Sequence, residues 1–279
     1  MKTLEILRLW LKQQKNFLPE LKAQANRYSK INDAHGLPDR VLSESKAVFI
    51  LSTGRAGTQF ITELIDGTLG WDVVHEPQPE LLYTSRWAYE NQNSLPEIKA
   101  AFLAARYEIL RNSYLKNFRY LETNNRISFL APAIAEILPN AKFIHLVRKP
   151  ESFVKSGMLR NWFTNEHLTD EGRIFPKSDG PKTQEEKIGW LWNETNRFIH
   201  EFGKTMSSER FLTLRSEDLF QKNESVKSLF SFLDLAYPGD DHITKLRNKP
   251  VNQSKKKSST VSLEGSWKTW TPLASKFNY

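Results

Sequence analysis

The sequence predicts a three-layer α/β/α fold with a mostly parallel sheet, and three observations support this prediction. Short apolar segments typical of strands alternate with amphipathic helical segments between residues 46 and 235. The segment AKFIHLV (141–147) is apolar almost throughout, as expected for a strand that helices cover on both faces. A glycine-containing loop follows the first strand and opens a helix, which is a frequent ligand-binding connection in such folds.

The composition is that of a folded protein without cysteine chemistry. Hydrophobic residues make up 39% of the 279 residues, enough to build a core. The absence of cysteine excludes a disulfide scaffold, a thiolate zinc site, an iron–sulfur cluster and a cysteine nucleophile. We predict a single domain spanning 1–279 and a cytoplasmic location, because no apolar run reaches the roughly 20 residues of a membrane span and no signal-peptide pattern is present.

The first segment, residues 1–45, is predicted as a helical lead-in. Pro19 is expected in the first turn of a second helix, where proline is tolerated. A basic amphipathic helix here would allow peripheral contact with a membrane, although packing of its leucines on the rest of the chain is the favoured interpretation. HGLPDR (35–40) is predicted as a turn-rich boundary. The leucines with helical spacing are Leu4, Leu7, Leu11, Leu18 and Leu21.

The central segment, residues 46–235, is predicted as the α/β core. Short runs rich in β-branched and aromatic residues predict strands at the start of 46–70 and over 71–77, 118–123, 141–147 and 210–215. Helical periodicity predicts helices at the end of 46–70, over 96–117, 127–138, 185–206 and 225–235, and from residue 151 onward. On the second of these helices, five apolar residues share one side: Ile98, Phe102, Ala105, Ile109 and Leu110. Residues 236–279 show no clear periodicity and are predicted as a tail that wraps the surface.

The strongest local signal for function is the loop STGRAGT (52–58) between the first strand and the helix that follows it. Glycines let the backbone turn tightly and approach a ligand, and the N–H groups of a helix start attract an anion. Arg55 adds a positive charge to this loop. We therefore predict a phosphate-binding loop, with an ordinary strand–helix turn as the alternative.

Two features argue against a Mg²⁺-dependent nucleotide triphosphatase. A Walker loop places Lys after its last glycine, whereas Gly57 is followed by Thr58 and Gln59. The apolar strand 143–147 is followed by Arg148, where an Asp would hold the metal ion. A P-loop kinase or related enzyme that uses ATP and Mg²⁺ is therefore kept only as the alternative hypothesis.

Residues 46–235 resemble PAPS-dependent sulfotransferases, which transfer a sulfuryl group from 3′-phosphoadenosine 5′-phosphosulfate (PAPS) and release the bisphosphate PAP. The segment RAGTQF (55–60) resembles the phosphosulfate loop of the bacterial-type branch that carries arginine, with Ala56 for the usual Ser and Gln59 for the second Thr. An aromatic residue at the position of Phe60 often lies against the adenine ring in that family. The resemblance implies that six consecutive residues contact the donor: Arg55, Ala56, Gly57, Thr58, Gln59 and Phe60.

A second and a third segment extend the resemblance. FIHLVRKP (143–150) is similar to the family's strand that ends in Arg, and Ser156 follows Arg148 by eight residues, as in the family. The resemblance implies that both residues bind the 3′-phosphate of the donor, and an arginine suits that role because it forms bidentate hydrogen bonds with phosphate. FLTLRSEDL (211–219) is similar to a strand that ends in R-Y-E-D-L, with Ser216 in place of the Tyr that contacts adenine.

The family's reaction implies an in-line transfer to a hydroxyl or amine, with Arg55 stabilising the leaving phosphate and no metal ion. Glu76 is the predicted general base, because it follows the second strand at the carboxyl edge of the sheet, where relatives carry a Glu. His75 is the rival base; strand alternation predicts that it points opposite to Glu76, which makes one of the two structural. His145, inside an apolar strand, is predicted to be a core histidine. Glu122, at the end of the third strand, is a further candidate for contact with the acceptor.

The nature of the acceptor stays open between a small molecule, a glycan and a lipid, and the formal net charge of +8 favours an acidic one. Residues 161–183 are long for a connection, so we predict that they help shape the acceptor pocket, with a surface insertion as the alternative. The run Lys255–Lys257 either adds to the 3′-phosphate site or belongs to a solvated tail. No nucleic-acid partner is predicted, because no basic segment interleaves aromatic residues in a recognisable binding pattern.

Overall fold

The computed structural model describes residues 21–27, 30–31, 34–166, 170–249 and 261–279. Residues 21–27 are helical, as predicted for the lead-in. The predicted roles of the leucines before residue 21, of Pro19 and of Lys255–Lys257 lie outside the described residues. No helix within these described ranges has the length and apolar character needed to cross a membrane.

A five-stranded sheet forms the centre of the described residues, and every neighbouring pair of its strands is parallel. Its spatial order is β2-β3-β1-β4-β5, so the first strand in the chain lies in the middle. The predicted α/β class is confirmed, and each strand falls within or overlaps a segment predicted as a strand. The strands are β1 (Ala47–Ser52), β2 (Trp71–His75), β3 (Arg119–Thr123), β4 (Lys142–Val147) and β5 (Phe211–Arg215).

Helices connect the strands and cover both faces of the sheet. They are α1 (Leu37–Glu44), α2 (Thr58–Ile65), α3 (Leu82–Glu90), α4 (Leu95–Lys116), α5 (Ala131–Ile137), α6 (Pro150–Met158), α7 (Gln184–Lys204), α8 (Ser216–Gln221), α9 (Asn223–Phe232) and α10 (Asp240–Arg247). Shorter 3₁₀ helices cover Asn125–Leu130, Asp170–Gly172, Ser266–Trp270 and Pro272–Phe277.

The central strand β1 shows why the sheet is covered on both faces. All six of its residues are buried, and the first five alternate between two separate apolar clusters. Phe49 and Leu51 pack in the cluster that contains residues of α4 and α7. Val48 and Ile50 pack in the cluster that contains residues of α2, α9 and α10. Because successive side chains of a strand point to opposite faces, the five consecutive apolar residues of β1 pack against both helical layers.

Three sequence predictions about helices are corrected by the structure. HGLPDR (35–40) is not only a turn, because α1 begins at Leu37. Its proline lies in the first turn of the helix, where the N–H that proline lacks would have had no partner within the helix. The tail predicted to lack periodicity begins with α10, which buries Ile243 and Leu246. Helix α3 was not predicted, because its buried positions are the small residues Ser85 and Ala88 rather than an apolar stripe.

His145 on β4 is a core histidine, as predicted. Its side chain is fully buried, and its Nε2 lies 2.9 Å from Oδ1 of Asn196. Burial, with a smaller contribution from the charge of His200, lowers the pKa of His145 from 6.5 to about 4, and the hydrogen bond to Oδ1 of Asn196 opposes this shift. The folded protein therefore holds this imidazole in its neutral form at neutral pH.

The neutral His145 makes stability depend on pH. The unfolded chain takes up a proton on this residue below its ordinary pKa of 6.5, whereas the folded chain does so only near 4. The stabilisation from the neutral imidazole is complete above the pKa of His145 in the unfolded chain. About 3 kcal/mol of the free energy of unfolding is lost as the pH falls from about 7 to about 4. Urea unfolding at both pH values should show this loss in the wild type and a smaller one in His145→Leu. Equal losses in the two proteins would contradict the prediction.

Candidate active site

A cleft with a volume of 870 Å³ opens at the carboxyl ends of the strands. Because all five strands are parallel, the segments that follow them meet at this one edge of the sheet. Each strand contributes to the lining through the segment after it, for example through Arg55, Glu76, Arg126, Arg148 and Ser216. The volume is in the range of pockets that bind nucleotide-sized ligands.

The loop after β1 has the backbone of an anion-binding turn. Gly54, Arg55 and Gly57 all have positive φ, at 78°, 54° and 84°. This conformation is easy for glycine and unusual for arginine. A Cβ atom on Gly57 would also lie 2.9 Å from the ring of Phe220, so this position requires glycine for space as well as for conformation. The loop leads directly into α2, whose first N–H groups have no partners within the helix.

Hydrogen bonds to other strand ends fix this loop. The side chain of Ser52 accepts a hydrogen bond from the N–H of Gly54 at 3.1 Å. The hydroxyl of Ser216, after β5, donates to the carbonyl of Ala56 at 2.7 Å. The loop is thereby held from within and from the neighbouring segment, so its N–H groups are oriented before a ligand binds.

Three arginines, Arg55, Arg148 and Arg160, lie close together beside the loop. Arg148, which follows β4, donates to the carbonyl of Arg55, and Arg160 donates to the carbonyl and the hydroxyl of Ser156 at 3.1 and 2.9 Å. Burial, and after it the charges of Arg55 and Arg148, lowers the pKa of Arg160. Burial and the charge of Arg55 likewise lower the pKa of Arg148, while Glu217 opposes that shift. Like charges held this close are stabilised by a polyanion, because the anion relieves their mutual repulsion.

Most of the residues predicted to bind the donor line the cleft, namely Arg55, Gly57, Thr58, Gln59, Phe60 and Arg148. Ala56 and Ser156 do not line it. Ala56 is fully buried, and its carbonyl is used by the hydroxyl of Ser216. Ser156 is nearly buried, and its hydroxyl accepts a hydrogen bond from Arg160, which does line the cleft. Ser156 thus lies behind an arginine that the sequence analysis did not single out.

The aromatic residues of the cleft form a pair. The ring centroids of Phe60 and Phe220 are 4.7 Å apart, and both residues line the cleft. Phe60 is 1% exposed, whereas Phe220 is 40% exposed, so Phe220 offers the larger open ring surface. Sequence reasoning missed Phe220, although it follows Ser216 by four residues and therefore lies on the same face of α8.

His75 and Glu76 both line the cleft, which corrects the prediction that alternation separates them. The strand β2 ends at His75, and Glu76 has a φ of 44°, so the chain leaves strand geometry between the two residues. Nδ1 of His75 lies 2.8 Å from the hydroxyl of Thr123. A carboxylate oxygen of Glu76 lies 3.7 Å from Nη1 of Arg126, another residue that the sequence analysis missed.

Glu122 does not face the cleft, so the prediction that it contacts the acceptor is wrong. Its side chain is fully buried and accepts hydrogen bonds from Nε and Nη2 of Arg106 at 2.9 and 3.0 Å. Tyr120 and Asn124 donate to the same carboxylate at 2.7 and 2.9 Å. Strand alternation places Glu122 on the face that packs against α4, and a buried carboxylate there requires a paired cation.

The segment predicted to shape the acceptor pocket reaches the cleft through Trp162 and Arg173. The guanidinium of Arg173 lies 3.9 Å from the centroid of the Trp162 ring, and its Nε donates to Asp170 at 2.6 Å. Both residues line the cleft with Glu76 and Arg126. Burial, and to a smaller extent the charge of Arg126, lowers the pKa of Arg173, which Asp170 opposes. Within the described ranges, no group of three or more His, Cys, Asp or Glu side chains is arranged to hold a metal ion.

The chain is similar to known sulfotransferases in sequence and in fold. A model of the sulfotransferase family matches residues 75–239, which is more than half of the chain. The sulfotransferase domain from the Synechococcus PCC 7002 olefin synthase shares the fold with a TM-score of 0.52 and 18% identity, over 84% of this chain and 95% of that one. The sulfotransferase domain from the curacin biosynthetic pathway gives 0.52 and 16%, over 80% and 82%. Comparison with curated proteins gives no match.

Proposed function

The chain belongs to the sulfotransferase family, and we propose on this premise that it transfers a sulfuryl group from PAPS to a hydroxyl or amine of an acceptor. One observation carries the choice of donor: Arg55, Arg148 and Arg160 crowd together beside the loop after β1. PAPS has a phosphate at the 3′ position and a phosphosulfate at the 5′ position. A donor with two anionic groups matches a cluster of three arginines better than a single phosphate does.

The residues of the cleft fit this donor. The loop with its two glycines of positive φ suits the phosphosulfate, since it leads into a helix N-terminus and Arg55 lines the same cleft. Arg148 and Arg160 suit the 3′-phosphate. The exposed ring of Phe220 offers a surface against which an adenine can stack.

The bound donor would supply the sulfuryl group, and the residues of this chain would position it and move one proton. Arg55 stabilises the negative charge that develops on the leaving phosphate. Glu76 accepts the proton of the acceptor hydroxyl as the new sulfur–oxygen bond forms and the bond to the phosphate breaks. His75, anchored to Thr123, is the alternative base. The acceptor, whether a small molecule, a glycan or a lipid, would bind next to Glu76, in the cleft that Trp162 and Arg173 also line.

Binding measurements test the donor. We expect the wild type to bind PAP more tightly than ADP with Mg²⁺, because only PAP carries a 3′-phosphate to pair with Arg148. Removing the charge-assisted contacts in Arg148→Ala should weaken PAP binding by about 1.5–3 kcal/mol, which is more than about tenfold. Isothermal titration calorimetry measures both ligands on both proteins.

The matched control is Lys155→Ala, which removes a positive charge from an exposed position of α6 outside the cleft lining. It should bind PAP as the wild type does. Equal or tighter binding of ADP with Mg²⁺ by the wild type would overturn the choice of PAPS and favour the ATP-dependent kinase alternative.

A further inference from the structure

Arg106 on α4 makes contacts that its ion pair with Glu122 does not require. Its side chain is fully buried, and two of its nitrogens bind the carboxylate of Glu122. Nη1 also donates to the carbonyl of Pro79 at 3.2 Å, and Nη2 donates to the carbonyl of Pro77 at 3.1 Å. One buried guanidinium therefore links a strand residue to two points of the segment that follows β2.

That segment, residues 76–80, carries Glu76, and apart from the ion pairs of Arg126 with Glu76 and Glu80 it has few bonds to the rest of the fold. Its two prolines have no N–H group, so they cannot be tied to the sheet by donating hydrogen bonds. The N–H of Glu76 donates to the carbonyl of Thr123 at 3.0 Å, which attaches the start of the segment to β3. Glu76 itself has a positive φ of 44°, a conformation that a residue with a side chain keeps only when its surroundings hold it there.

We propose that Arg106 is a positioning residue that fixes segment 76–80 and thereby holds the Glu76 carboxylate at the cleft, an inference that rests on the proposed role of Glu76 as the base. Glu122 orients the guanidinium through two parallel hydrogen bonds, and Tyr120 and Asn124 fix Glu122 in turn. The guanidinium is planar and rigid, so fixing one edge directs the remaining donors at the two proline carbonyls. A lysine could not hold a carboxylate and two carbonyls in this fixed geometry.

A purely structural role for the pair makes a different prediction. A buried ion pair can often be replaced by neutral groups of similar size without loss of the fold. If Arg106 served only to neutralise Glu122, removing both charges would leave segment 76–80 unchanged. If Arg106 holds the segment, the same replacement keeps the fold but releases the two proline carbonyls.

The variant that separates these roles is Arg106→Met/Glu122→Gln, which leaves no buried charge and keeps an oxygen for Tyr120. Hydrogen exchange followed by mass spectrometry reports on the N–H of Glu76, which donates to Thr123, and on those of Gln78, Glu80 and Leu81. We expect their exchange to rise about tenfold or more in this variant, with the other strands unchanged. PAP should bind within about twofold of the wild-type affinity.

The matched control is Leu110→Ala, which loses core packing on the same helix one turn further along. It should lower overall stability without raising exchange selectively in residues 76–81. Unchanged exchange there in the double variant, or an equal local rise in Leu110→Ala, would overturn the proposal.

Turnover shows whether the segment acts through Glu76. PAP release from PAPS is measured with a mixture of a phenol, a primary alcohol and a primary amine. The double variant should lose about 10- to 100-fold in kcat with an unchanged KM for PAPS, since misplaced catalytic groups cost about this much. Added to Glu76→Gln, the same two changes should cause no further loss, whereas a multiplicative loss would overturn the coupling. Full activity of Glu76→Gln alone would instead refute the base and leave the exchange result on the segment intact.

Discussion

Replacing Glu76 by Gln is expected to lower kcat by about 10²- to 10⁴-fold, the range that general bases contribute. Glutamine has nearly the same shape as glutamate but cannot take the proton of the acceptor hydroxyl. Glu76 lies at the end of β2, whereas Arg148 and the loop after β1 lie at the ends of β4 and β1. The variant should therefore bind PAP with wild-type affinity, so that turnover and donor binding separate.

The control for this prediction is Glu80→Gln. Oε2 of Glu80 lies 3.7 Å from Nη2 of Arg126, the same distance as between Glu76 and Nη1. The side chain of Glu80 is about as exposed as that of Glu76, but Glu80 is not part of the cleft lining. Its loss removes an ion pair of Arg126 without removing the base, and kcat should change little. If Glu76→Gln keeps its activity while His75→Gln loses it, the base is His75, and the assignment of Glu76 is wrong.

Replacing Arg106 alone by Met is expected to lower the free energy of unfolding by about 3–5 kcal/mol, because a buried carboxylate is left without its cation. Both members of this pair are fully buried, so water cannot compensate for the loss. Tyr120 and Asn124 would still donate to Glu122, but neither carries a charge. Adding Glu122→Gln should recover much of the loss, because the uncompensated charge is then gone. Equilibrium unfolding in urea measures both effects.

A more exposed ion pair, which joins the same helix to α5, gives the scale for comparison. Nζ of Lys99 lies 2.5 Å from Oε2 of Glu136, and the two side chains are 33% and 52% exposed. Lys99→Met should change the free energy of unfolding by no more than about 1 kcal/mol, as is usual for exposed pairs. If Arg106→Met lowers the free energy of unfolding by no more than Lys99→Met does, the prediction for the buried pair is wrong.

Much of the fold was predictable because its signals are local. The strand β4 is apolar at nearly every position, which directly indicates burial on both faces. The turn after β1 depends on Gly54 and Gly57, which are close together in the chain, so the sequence alone located the loop that we propose binds an anion. The helix α3 escaped prediction because small residues rather than large apolar ones face its neighbours.

The composition of the site was less predictable, because it depends on partners far apart in the chain. Arg106 and Glu122 form one ion pair across two elements, and nothing in the sequence around Glu122 marks it as buried. Alternation failed to place His75 and Glu76, since a single residue of positive φ turns the chain at the end of β2.

The sequence by itself determined the α/β class, the loop after β1 and the strand end at Arg148, since periodicity and glycine position act within a few residues. Only the tertiary structure shows that Arg160 and Phe220 line the cleft. It also shows that Ser156 lies behind Arg160 and that Glu122 is buried away from the cleft in an ion pair. The physical reason is that burial and charge pairing are satisfied between elements, and those partners become neighbours only when the sheet brings the strand ends together.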